Sequence, residues 1–125
     1  MNHYRTQIRA AFQSLVEGRG YAAVVDDQHV GYTGMGETTI ERDVQVDITV
    51  LAKGSTYAAA EDRVNAIAGV VQKKVFESEF SDRWRRIRLE RTVIDSEKTD
   101  THSAIAELQF TLRITTDEKN PEVLL

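Results

Sequence analysis

Residues 104–114 read AIAELQFTLRI, and their alternation decides the fold. Ala104, Ala106, Leu108, Phe110, Leu112 and Ile114 take every second position, with Glu107, Gln109, Thr111 and Arg113 among the residues between them. Successive strand side chains point to opposite faces, so this is a strand with one buried and one solvated face. Val44, Val46, Ile48 and Val50 alternate in the same way with Asp43, Gln45, Asp47 and Thr49, which predicts a second such strand over residues 40–52.

Working outward, Ile87, Leu89 and Val93 alternate with Arg88, Glu90 and Thr92, so residues 84–95 read as a third strand whose apolar row is interrupted at Arg91. The polar stretch 96–102 reads as the turn that joins it to the strand ending at Thr116, as an antiparallel hairpin. Residues 21–26, with Val24 and Val25 at their centre, predict a short strand. Residues 27–39 carry Gly31, Gly34 and Gly36 and read as a flexible, protruding loop with a brief extended piece at 29–32.

Two segments have helical spacing instead. Tyr4, Ile8, Ala11, Phe12 and Leu15 fall on one helical face, and Gly18 and Gly20 behind them supply the left-handed stop. Thr56 reads as the N-cap of a second helix with the inner stripe Ala60, Val64, Ile67, Val71 and Val75. The order is therefore α-β-β-α-β-β, an α+β fold in which both helices pack on one face of a mainly antiparallel twisted sheet. Asp43, Gln45, Asp47, Glu107, Gln109, Thr111 and Arg113 would line the other face, which antiparallel sheets can leave to water. Residues 1–116 form one domain, followed by a tail at 117–125 that reads as a frayed terminus; docking of Val123, Leu124 and Leu125 on a neighbour is the alternative.

With 125 residues the chain supports one core, and with no cysteine it has no disulfide, thiolate metal site or thiol nucleophile. No segment approaches the roughly 18 apolar residues of a membrane span, and the amphipathic N-terminus lacks the apolar run of a signal peptide, so the chain reads as soluble with no membrane partner. A net charge of -4 argues against general nucleic-acid affinity.

No catalytic, cofactor or metal constellation emerges. His3, His29 and His102 are in separate segments without partners at ligand spacing and read as surface residues. Asp26 and Asp27 read as turn charges, and Asp43 and Asp47 as sheet-face charges. Gly34-Met35-Gly36 leads into a strand and lacks the helix that would hold a pyrophosphate, and the residues after Gly54 are explained by helix capping. Arg83, Arg85, Arg86, Arg88 and Arg91 around Trp84 are the one dense charge feature. Strict alternation would send Arg86 and Arg88 to one face and Arg85 and Arg91 to the other, which favours contacts with acidic groups of a partner, or plain solvation, over a nucleic-acid patch with a stacking indole.

The segments MNHYRTQIRAAFQSLVEG, IERDVQVDITVLA, TYAAAEDRVNAIAGVV, RIRLERTVID and AIAELQFTLRITT, with the strand and open loop behind the first, together resemble the tail terminator (tail completion, minor tail protein) family of long-tailed bacteriophages. The resemblance is one of order, length and texture over nearly the whole chain, with no diagnostic motif. It implies a non-enzymatic structural protein of the virion, made in the host bacterial cytoplasm and placed at the tail-neck junction. There it would form a homo-oligomeric ring, typically a hexamer, on the head-proximal end of the tail tube. The implied partners are the tail tube protein and neck or head-completion proteins, with viral DNA only passing through the lumen. Gly31, Gly34, Gly36, Arg85, Arg86, Arg88, Val123, Leu124 and Leu125 are the candidate subunit and partner contacts. The alternatives are another phage neck or head-completion ring protein and, from a different class, a cytosolic small-ligand-binding α+β domain.

Overall fold

The computed structural model describes residues 2–33, 36, 38–77, 79–98 and 102–125. Along the chain run α1 (Tyr4–Val16), β1 (Gly20–Thr33), β2 (Thr39–Gly54), α2 (Tyr57–Val75), β3 (Arg85–Lys98) and β4 (His102–Asp117). The strands lie side by side in the order β1-β2-β4-β3, each antiparallel to its neighbour. This is the α+β arrangement that the alternation predicts.

β2 and β4 are the centre of the sheet because both have a complete apolar row. Val44, Val46, Ile48 and Val50 stand opposite Leu112, Phe110, Leu108 and Ala106, and all eight are buried. The helices cover that row with Tyr4, Ile8, Phe12 and Val16 from α1 and Ala60, Val64, Ala68, Val71 and Val75 from α2. Phe12 stacks on Trp84, with ring centroids 5.2 Å apart, and meets Phe80 edge-on at 5.0 Å. That aromatic knot ties the connection after α2 to the core.

Local chemistry sets the helix ends. His3 Nδ1 accepts the Arg5 amide at 3.1 Å, and Thr56 Oγ1 accepts the Ala59 amide at 3.1 Å. Glu17 and Gly18 carry the left-handed conformation that ends α1, with φ of 50° and 80°. Gly20 belongs to β1 instead: a Cβ there would sit 1.9 Å from the Thr49 carbonyl oxygen, so only glycine lets the strand close on β2.

Three sequence expectations change. β1 is a long strand that runs through most of the anticipated loop, pairing with β2 from Gly20 opposite Val50 to Thr33 opposite Thr39. Two bulges, between Val24 and Asp26 and between His29 and Gly31, break its alternation and hid it. Gly36 occupies the turn with φ 76°, while Gly34 lies outside the described residues, as do Met35, Ser78 and residues 99–101. β3 also carries two bulges, between Arg85 and Arg88 and between Leu89 and Arg91, which shift its phase.

The third change is the tail, which folds back onto its own subunit. The Tyr4 amide donates to the Pro121 carbonyl at 2.8 Å, Gln7 Nε2 to the Glu122 carbonyl at 2.9 Å, and the Leu125 amide to the Thr115 carbonyl at 2.9 Å. These bonds seat the Leu124 side chain in the core at 9% exposure. Leu124→Ala is expected to destabilise the protein by about 2 kcal/mol, the low end for a buried leucine near the surface. Urea unfolding checks this, and an unmoved midpoint would mean that the tail carries no stability.

Candidate functional site on the polar face of the sheet

Crosswise register builds this face row by row. Asp26 on β1, Gln45 on β2, Thr111 on β4 and Arg88 on β3 form one row; Gln28, Asp43, Arg113 and Arg85 form the next. Ala23, Asp47, Gln109 and Arg91 form the row on the other side of the first. Arg85, Arg88 and Arg91 therefore share the polar face, which corrects the expectation that alternation splits them. Each bulge inserts one residue and reverses the phase of the strand, so three arginines spaced three residues apart reach the same side.

The face is concave. An open depression of about 380 Å³ reaches from Asp26 and Gln28 on one edge to Arg86, Arg88 and Glu90 on the other. Arg86 enters it from the first β3 bulge, held in the left-handed region at φ 52°. At the floor, Arg113 grips Asp43 through two bonds, Nε to Oδ1 at 2.9 Å and Nη2 to Oδ2 at 3.1 Å. Hydrogen bonding from that guanidinium holds the Asp43 carboxyl below the usual carboxylate range, against the smaller opposing effect of its burial, and the same bond raises Arg113. Near the end of the face Arg85 Nη2 donates to Thr115 Oγ1 at 2.6 Å and reaches Glu41 at 3.3 Å. Glu90 accepts from the Thr111 hydroxyl at 2.9 Å. Arg88 and Arg91 have no acidic partner among the described residues.

A second polar cluster, absent from the sequence reading, lies on the helix side. The Tyr4 hydroxyl donates to Asp27, whose carboxylate also meets Arg42 Nη1 at 3.4 Å and Arg5 Nη1 at 3.8 Å. Arg42 continues to the buried Thr116 hydroxyl at 3.1 Å, and its guanidinium sits 5.1 Å from the centre of the Tyr4 ring. Asp27 is thus a nearly buried structural charge and not a turn residue. Burial, with the hydrogen bond to Asp27 second, pushes the Tyr4 hydroxyl up to about 12. Its signal in the sequence was Arg42, a charge at an inward position between Ile40 and Val44.

The remaining candidates scatter. Gly31 sits at a β1 bulge and Gly36 in the hairpin turn, far along the chain from the arginines of β3. Val123 is half-buried, Leu124 is buried in its own subunit, and Leu125 is exposed. Trp84 is buried against Phe12, so its indole is not offered to a base. His102 is half-buried, its ring edge-on to Tyr57 at 4.5 Å, which corrects its reading as a surface residue. Among the described residues no group of three or more His, Asp or Glu side chains gathers as metal ligands do. None of the helices is long and apolar enough to cross a membrane.

Two titrations test these clusters. The neutral Tyr4 is favoured by folding, so its contribution is complete below pH about 10, the usual tyrosine value, and is lost as pH rises toward about 12. Absorbance titration should show one tyrosine ionising late, and Tyr4→Phe should remove that step and cost about 1–2 kcal/mol by stripping a donor from Asp27. Asp43 has the opposite sign: its contribution is present above the unfolded carboxylate value and lost as pH falls through the lowered one. In Arg113→Ala the Asp43 carboxyl should titrate at higher pH, read by NMR of its side-chain carbonyl; an unshifted titration would show that the guanidinium does not govern it. No protein-family model and no characterised protein matches this chain, so its own surfaces are the ground for a functional reading.

Proposed function

We propose that this chain is a structural virion protein resembling the tail terminators of long-tailed bacteriophages. Copies would assemble as a hexameric ring on the head-proximal end of the tail tube, stop its growth and offer a surface to the neck. The observation that carries this reading is how the surfaces are distributed. Both helices are spent on one side of the sheet, and what remains is an open polar face bounded by two long edge strands. The best-formed ion pair on that face, Asp43 with Arg113, is tied to itself and lies in an open hollow. Acid–base work needs a group freed for substrate and a site that excludes water, so the arrangement favours binding by surfaces over catalysis.

The open polar face and the two outer strand edges are surfaces that can meet other proteins, and the order α-β-β-α-β-β accords with the family resemblance. The test is co-assembly. Purified protein added to polymerising tube protein should give rings by electron microscopy and tubes that end in them at limited length. Tubes that grow on regardless would overturn the terminator role. Capture by a portal-adapter protein in place of tube protein would move the ring to the neck side of the junction.

A further inference from the structure

The two edges of the sheet differ in a way that selects their partner. β1 contains Asp26 and Asp27 and no lysine or arginine, and it exposes Tyr21, Val25, Val30 and Tyr32. β3 begins with Arg85, Arg86, Arg88 and Arg91 and exposes Ile94 further along. A long edge strand with exposed apolar residues and no lysine is a template for pairing with another strand.

We infer that β1 of one copy pairs with β3 of the next, antiparallel and head to tail, so that neighbouring sheets join into one continuous wall. Strand direction permits it. Four strands, each antiparallel to its neighbour, leave β1 and β3 running oppositely, so a second copy set beside the first continues the alternation and keeps its helices on the same side. Register then specifies the contact. Asp26 and Arg88 end the same crosswise row at opposite edges, so sheets that abut without slip bring Asp26 of one copy to Arg88 of the next. That Arg88 has no acidic partner among the described residues fits that role. Two-fold pairing through β1 is disfavoured by the same charges, since full antiparallel overlap of β1 on itself sets Asp26 of one copy beside Asp27 of the other.

This seam deepens the ring reading and rests on it only for closure of the assembly. The experiment is a charge swap on the full chain, with size-exclusion chromatography and light scattering as readout. Wild type should run as a ring, and Asp26→Arg or Arg88→Asp should each weaken association about tenfold or more. The doubly substituted chain, D26R with R88D, should regain the ring. Val25→Lys, on the exposed edge and outside the ion pair, should also weaken it while circular dichroism shows an unchanged fold. A wild-type monomer or two-fold dimer, single variants that assemble normally, or a double variant that stays dissociated would each overturn the seam. Rings that obey the swap but leave tubes growing would support the seam and overturn the terminator role; rings that cap tubes yet ignore the swap would overturn the seam alone.

Discussion

Because Val44, Val46, Ile48 and Val50 on β2 face Leu112, Phe110, Leu108 and Ala106 on β4, the middle of the sheet presents a continuous apolar surface that only the two helices cover. A slip of one residue between these strands would turn the whole row to water, so burial and register are specified together. α1 and α2 are held by the same surface, and the aromatic contact of Phe12 with Trp84 and Phe80 extends it to the segment that leads into β3. Everything the protein can offer a partner lies outside that layer.

One end of the layer is closed by charge and not by grease. Asp27, Arg42, Tyr4 and Thr116 join β1, β2, α1 and β4. Taking such groups from water is costly unless each is bonded, and here each of the four has a partner. The cluster fixes where α1 and the hydroxyl of Tyr4 sit against the far end of the β1–β2 hairpin. The tail then crosses beside it, with the Pro121 carbonyl taking the Tyr4 amide. Leu124 is buried only because that crossing exists, which explains why a terminal apolar triplet read as frayed.

Legibility followed exposure. β2, β4 and α2 are flanked on both sides or face the core along their length, so their periodicities are strict and were readable to within a few residues. Ile67 is only half-buried, while Ala68 beside it is counted among the buried residues of α2. β1 and β3 pair on one side alone, where polar and apolar residues mix freely, and bulges reset their phase. Alternation consequently shortened β1 to its first residues and divided arginines that the structure gathers. Arg42 was the legible clue to the helix-side cluster, but its acidic partner arrives from a strand whose course the sequence obscured.

Bulges commonly turn an edge away from strangers, and both outer strands have two. Their effect on the shape of the sheet is just as important. β1 takes residues 20–33 to span residues 39–50 of β2, and β3 takes residues 85–98 to span residues 102–113 of β4, so each edge is longer than the centre by the same amount. A bulge bends its strand and increases the local twist, and the hollow over Asp43 and Arg113 lies between these two bulged borders. The bulges also leave the two borders matched to each other in length and opposed in charge near Asp26 and Arg88. An arbitrary strand meets a kinked border at a disadvantage, whereas a border with an equal number of kinks need not, and in the proposed seam the devices that discourage other partners would favour a second copy of the same chain.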